Sequence, residues 1–198
     1  MFFAKSLAHG KSMRDIVSQP YRQRYWSAHE LVVIGVFAAA AKVSTVLVAL
    51  AGGGMNPVTL LHKNLIFTTM LVVMLYKVRK PGTLLLFVGV NLLFSMLMLG
   101  VSVTLLPSAL AAALLAEAAA AAVGGMQGKF GPLTAVAVYD LTLRCLSLGM
   151  SWLVLRESPA LLISAVPVVI LGYLGAVGGL FTGASAVREL RHAGIVRF

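Results

Sequence analysis

The sequence predicts an all-α integral membrane protein: a bundle of six transmembrane helices with both termini in the cytoplasm. Three observations carry that expectation. Of the 198 residues 60% are hydrophobic and only 11% charged, where an average soluble domain has about a quarter of its residues charged. Five of the seven prolines, Pro57, Pro81, Pro107, Pro132 and Pro159, stand 24 to 27 residues apart, each where an apolar run begins. The lysines and arginines fall mainly in alternate connecting segments, the pattern that orients membrane helices.

The chain divides into an N-terminal arm (residues 1–27), a helical domain (28–185) and a C-terminal tail (186–198). The arm begins MFF, but a polar and basic run from Lys5 to Arg24 separates this from the first long apolar segment. It does not read as a signal peptide, and an amphipathic cytoplasmic arm is expected. Proline lacks an N–H and has φ fixed near the helical value, so it suits the first turn of a helix. A crossing needs about 20 apolar residues, so each proline interval accommodates one helix and a short turn. With the run before Pro57, the spans are 28–51, 58–76, 83–101, 108–124, 132–154 and 160–184. The even spacing reflects membrane thickness rather than an internal repeat. Pro167, inside the last span, predicts a kink.

Charge sets the orientation. With the N-terminus inside, the cytoplasmic segments hold Lys5, Lys11, Arg14, Arg22, Arg24, Lys77, Arg79, Lys80, Lys129, Arg188, Arg191 and Arg197, twelve of the sixteen basic residues. The outer loops hold only Arg156, beside Glu157. The net charge of +10 is then a topology signal, with anionic lipid at the inner face as its counterpart. A nucleic-acid partner is not expected, since that calls for a soluble basic surface with aromatic or groove-reading elements.

Lys42, Lys63, Arg144, Glu117 and Asp140 lie within the spans. A charge in hydrocarbon costs several kcal/mol, so such residues face a protein interior, a partner or water. Span one runs outward and places Lys42 in its outer half. In VTLLHKNLIF, residues 58 to 67, His62, Lys63 and Asn64 fall in the first two turns of span two, also near the outside. Span five leaves Asp140 near mid-depth and Arg144 one turn further out. All three cations thus gather in the outer half. Two readings stand for each. Lys63 and His62 either snorkel to the outer interface or line a pocket. Asp140 and Arg144, four apart on one face, either form an internal ion pair or contact a ligand. Glu117 is expected as a counter-ion to one of the cations, and Asn91 is interhelical glue or a ligand contact.

Catalytic and metal motifs are missing. Gly10-Lys11-Ser12 resembles the end of a phosphate-binding loop, but Lys5 stands where its first glycine belongs, and no strand precedes it. No HExxH or GxSxG occurs, and His9, His29, His62 and His192 are scattered. Cys145 is the only cysteine, and the nine methionines read first as adaptable packing. No enzyme activity, cofactor or metal is expected. Small residues suggest a contact surface instead: Gly35-x-x-x-Ala39 and Ala40-x-x-x-Ser44 in span one let another helix approach closely, and the alanines of span four suit packing within the bundle.

With six spans in under 200 residues, HELVVIGVFAAAAKVSTVLVAL in span one, the outer Asn56-Pro57 turn and the basic LYKVRKPGTLLLFVGV after span two, the chain resembles the membrane-embedded S components of energy-coupling factor (ECF) transporters. The similarity covers roughly residues 28 to 185 and is nearest to the MptD-type, or Trep_Strep, group. The resemblance implies a multi-pass protein of a bacterial-type cell (inner or plasma) membrane. It also implies a subunit that captures a vitamin or other scarce micronutrient in the outer half of the bundle and delivers it inward through a T component and two ATPase subunits. The family's small-residue surface for the T component maps onto Gly35 and Ala39, or onto Ala40 and Ser44. On this reading Lys42, His62, Lys63, Asn64, Asn91 and Arg144 bind an anionic small-molecule substrate. Met55, Phe67, Met70, Phe94 and Trp152 supply apolar walls. A self-sufficient secondary transporter relaying protons through Glu117, Asp140 and Arg144 is the alternative. A membrane enzyme or a purely structural subunit stands behind it.

Overall fold

The computed structural model describes residues 25–52, 56–99, 105–154 and 159–194, and these form six helices: α1 (Ala28–Ala51), α2 (Pro57–Lys77), α3 (Thr83–Leu99), α4 (Leu105–Ala122), α5 (Gly131–Val154) and α6 (Pro159–His192). The N-terminal arm up to residue 24, Met55, Arg156, Glu157 and the last four residues lie outside the described residues.

The proline punctuation holds. Pro57 and Pro159 are the first residues of α2 and α6, Pro107 and Pro132 lie in the first turns of α4 and α5, and Pro81 stands just ahead of α3. The other starting signals are caps. The Ser27 hydroxyl accepts from the Glu30 amide while the Glu30 carboxylate accepts from Ser27, which closes a capping box on α1. The Asn56 side chain accepts from the Val58 amide at the head of α2.

Four helices, α1, α2, α5 and α6, are long and apolar enough to cross a membrane. The apolar helices α3 and α4 have 17 and 18 residues. At about 1.5 Å per residue they reach roughly 26 Å, just short of a bilayer core of about 30 Å. The chain has the architecture of a multi-pass helical membrane protein. Its last helix runs through Pro167 and on to His192, beyond the expected end of span six. Val187 is buried against the core and Leu190 packs on it, so the bundle extends the helix into the tail. Arg191 and His192 in the final turn suit its negative end.

The closest packing is between α2 and α6. Gly175, Gly179 and Gly183 stand four apart on α6 and form a stripe facing α2. A Cβ on Gly175 would collide with the Leu61 carbonyl, one on Gly179 would lie 2.8 Å from the Leu65 carbonyl oxygen, and one on Gly183 would lie 2.8 Å from Val72 Cβ. Without side chains the two backbones meet, the close approach that small residues allow in membrane helices. Thr69 and Thr182 join across this seam with their hydroxyl oxygens 2.6 Å apart. In α4 the buried positions are Ser108 and the alanines Ala109, Ala112, Ala113, Ala116 and Ala120, and the helix packs on α5 and α3.

The basic connections gather at one end of the bundle. Lys80 forms an ion pair with Glu30 at 2.7 Å and also donates to the Tyr25 carbonyl, tying the α2–α3 connection to the start of α1. The Tyr76 hydroxyl donates to the Lys129 carbonyl ahead of α5. Arg79 lies over the Tyr76 ring, and its guanidinium is held below its ordinary pKa by burial, opposed by Tyr76 and reinforced by Arg191. Gly82, at φ 86°, turns the chain into α3 in a conformation that side chains disfavour.

Candidate functional site

Toward the opposite end, α1, α2 and α3 carry buried and half-buried polar groups. Lys42 on α1 reaches α3, where its ammonium donates to the buried Ser95 hydroxyl at 2.5 Å. Lys63 on α2 lies close enough to repel it. Lys42 is nine residues before the end of α1, Lys63 six after the start of α2 and Ser95 four before the end of α3. At about 1.5 Å per residue all three lie within roughly 14 Å of the same helix ends. Neither ammonium forms an ion pair with another described residue. One turn along α3 from Ser95, the Asn91 amide nitrogen is buried without a hydrogen-bond partner.

A second polar cluster joins α2, α5 and α6. Arg144 donates to the Gly172 carbonyl at 3.0 Å, and its Nε is buried without a partner. Asn64, next to Lys63 but turned by a third of a helical turn, donates to the Leu60 carbonyl at 2.9 Å. A Cβ on Gly172 would lie 2.6 Å from an Arg144 guanidinium nitrogen and 3.0 Å from the Asn64 amide nitrogen, so a glycine at 172 is what lets both side chains lie against α6.

Asp140 and Arg144 do not form the direct ion pair that their spacing allows. Asp140 is 6% exposed and accepts from the Thr68 hydroxyl at 2.9 Å, while Arg144 turns to Gly172. Each has its own neutral partner.

Glu117 corrects the expectation of a counter-ion. Its two carboxylate oxygens accept from the Gly82 and Leu85 amides at 2.9 and 3.0 Å, at the basic end of the bundle. Those amides belong to the first turn of α3, whose N–H groups have no partner within the helix, and the positive end of the helix favours a carboxylate there. Glu117 therefore closes α3 from α4 and does not reach Lys42 or Lys63.

His62 stands apart from both clusters. Its ring is exposed, and Nδ1 donates to the Val58 carbonyl of its own helix at 2.9 Å. Of the expected apolar walls, Phe67, Met70 and Phe94 pack on the core, with Phe67 5.9 Å from Phe87 between ring centres. Trp152 is exposed. Ser95 and Thr68, the hydroxyls that receive Lys42 and serve Asp140, were missed from the sequence. Ser95 had a signal, since it lies one turn from Asn91 on the same face.

On α1 the fully buried face is Ile34, Ala38, Ala41 and Thr45. Gly35, Ala39, Ala40 and Ser44 lie beside it and are half-buried, and a side chain at Gly35 would meet open space. Val32, Val36 and Val43 next to them are exposed. This flank of α1 is thus left uncovered by the bundle.

Two recesses lie away from Lys42 and Lys63. One of about 650 Å³ runs along the outside of α3, from Tyr25 and Trp26 to Leu93, with almost wholly apolar walls. The other, of about 290 Å³, lies at the basic end between α2, α5 and α6. Neither is lined by Lys42, Lys63, Asn91 or Arg144.

Fold and site together define a multi-pass helical membrane protein with half-buried cationic side chains toward one end of its bundle. No protein-family model, no curated protein and no solved structure matches the chain.

Proposed function

We propose that this chain is the substrate-binding S component of an ECF-type uptake transporter. In this reading it crosses a bacterial-type cell membrane six times with both ends in the cytoplasm. It captures an anionic micronutrient between α1, α2 and α3 and passes it inward through a T component and two ATPases. The observation that carries the reading is the pair Lys42 and Lys63: two half-buried ammonium groups within repelling distance at one end of an apolar bundle, with no carboxylate on either among the described residues. Like charges in such a place oppose folding, and a carboxylate or phosphate drawn from outside would offset that cost. The unpartnered Asn91 amide next to Ser95 adds a donor for the same ligand. The uncovered small-residue flank of α1 at Gly35 and Ala39 supports a T-component contact.

Replacing both lysines tests the reading through stability as well as binding. Lys42→Met/Lys63→Met is expected to raise the unfolding temperature of the empty protein in detergent, because it removes mutual repulsion from an apolar site, and to weaken ligand binding by at least about tenfold. A binding site held for its ligand trades stability in this way. Loss of stability in the double variant would mean that the lysines serve the fold, and the proposal would fail. A proton-coupled carrier using Glu117, Asp140 and Arg144 has less support, since Glu117 holds α3, Asp140 holds Thr68, and neither hydrogen-bonds the other. Transport by the purified protein in vesicles lacking ATPases would favour the carrier.

A further inference from the structure

The recess of about 290 Å³ at the basic end has no part in the proposed uptake site, and its chemistry is of a different kind. Lys129 supplies one wall, just ahead of α5, and Arg188 and Arg191 supply another from the last turns of α6. Among the described residues no aspartate or glutamate lines it. The floor is apolar, from Leu133, Ala184 and Val187, and Phe130 stands exposed at its rim with the Lys129 ammonium 5.6 Å from the ring centre.

Position along the helices matters as much as charge. Tyr76 at the end of α2, Phe130 ahead of α5 and Arg188 near the end of α6 place the recess where the apolar lengths of three helices stop. A soluble anion would need only the cations. A phospholipid needs the cations at this level and an apolar surface leading toward the bilayer interior, and the recess offers both.

We infer that this recess binds the phosphodiester headgroup of an anionic phospholipid, held by Lys129, Arg188 and Arg191, with its acyl chains lying toward Leu133 and Ala184. The shared chemistry is a phosphate, which a free anion could also supply, so the test separates the two sources. Full-length protein is purified in detergent, stripped of lipid, and titrated with phosphatidylglycerol or phosphatidylcholine while bound lipid is counted by native mass spectrometry. Phosphatidylglycerol is expected to be retained about tenfold better than phosphatidylcholine. Arg188→Gln/Arg191→Gln should abolish that preference, Lys11→Gln/Arg14→Gln in the N-terminal arm should keep it, and millimolar inorganic phosphate should not displace the lipid. Arg188→Gln alone, at an exposed position, carries the test if the double variant loses its helical circular dichroism. Equal retention of the two lipids, an unchanged preference in the recess variant, or displacement by inorganic phosphate would each overturn the assignment.

Discussion

Gly179→Leu is expected to destabilise the folded bundle by about 3 kcal/mol, at the upper end of what overpacking usually costs. Even the first added carbon would stand 2.7 Å from Thr68 Cβ and 2.8 Å from the Leu65 carbonyl oxygen. The carbonyl is backbone and cannot rotate away, so α2 and α6 must separate. Separation also breaks the contact of Thr69 with the Gly179 carbonyl and with Thr182. It disturbs Thr68 as well, which serves the buried Asp140. The neighbouring Gly178 is the control, because a Cβ there would meet only Leu65 Cδ1 at 3.5 Å, an ordinary contact. Thermal unfolding in detergent should show a large loss for Gly179→Leu and almost none for Gly178→Ala. Equal losses would mean that the glycine stripe does not set the α2–α6 distance.

Glu117→Ala is expected to cost about as much, roughly 3 kcal/mol, by removing two charge-assisted hydrogen bonds and leaving the first turn of α3 without its acceptor. Glu117→Gln keeps one acceptor oxygen and should cost about half. The amides that matter are Gly82 and Leu85, so hydrogen exchange there should accelerate in Glu117→Ala while exchange in α2 changes little. A proton-relay role predicts the reverse pattern, with transport lost in Glu117→Gln and stability untouched. The two variants compared by unfolding and by exchange separate a cap from a relay.

The helices were legible because their signals are local. Proline with its fixed φ marks the starts of α2 and α6, and long apolar runs with few charges mark the lengths. Depth was legible too, since counting residues from Pro57 and Ala51 brings Lys42 and Lys63 near one end of the bundle, both half-buried. Direction was not. Asp140 and Arg144 share a face by spacing, yet one turns to Thr68 on α2 and the other to Gly172 on α6, because spacing on one helix says nothing about which helix stands opposite. Glu117 misled for a similar reason: its partners are backbone amides, which no side-chain pattern announces. The glycines of GYLGAVGGLFTG stand at a spacing of four, but that spacing alone does not say which helix they meet. His62 adjoins Lys63 in sequence and still points away from it, since one residue along a helix is about 100° of rotation.

The claim at the centre is that Lys42 and Lys63, paired with no carboxylate among the described residues, receive an anion from outside. Mass spectrometry of small molecules released from the purified wild-type protein and from Lys42→Met/Lys63→Met tests it most directly. The account predicts an anionic small molecule released from the wild type and missing from the double variant. Release of the same molecule in the same amount from both proteins would contradict it.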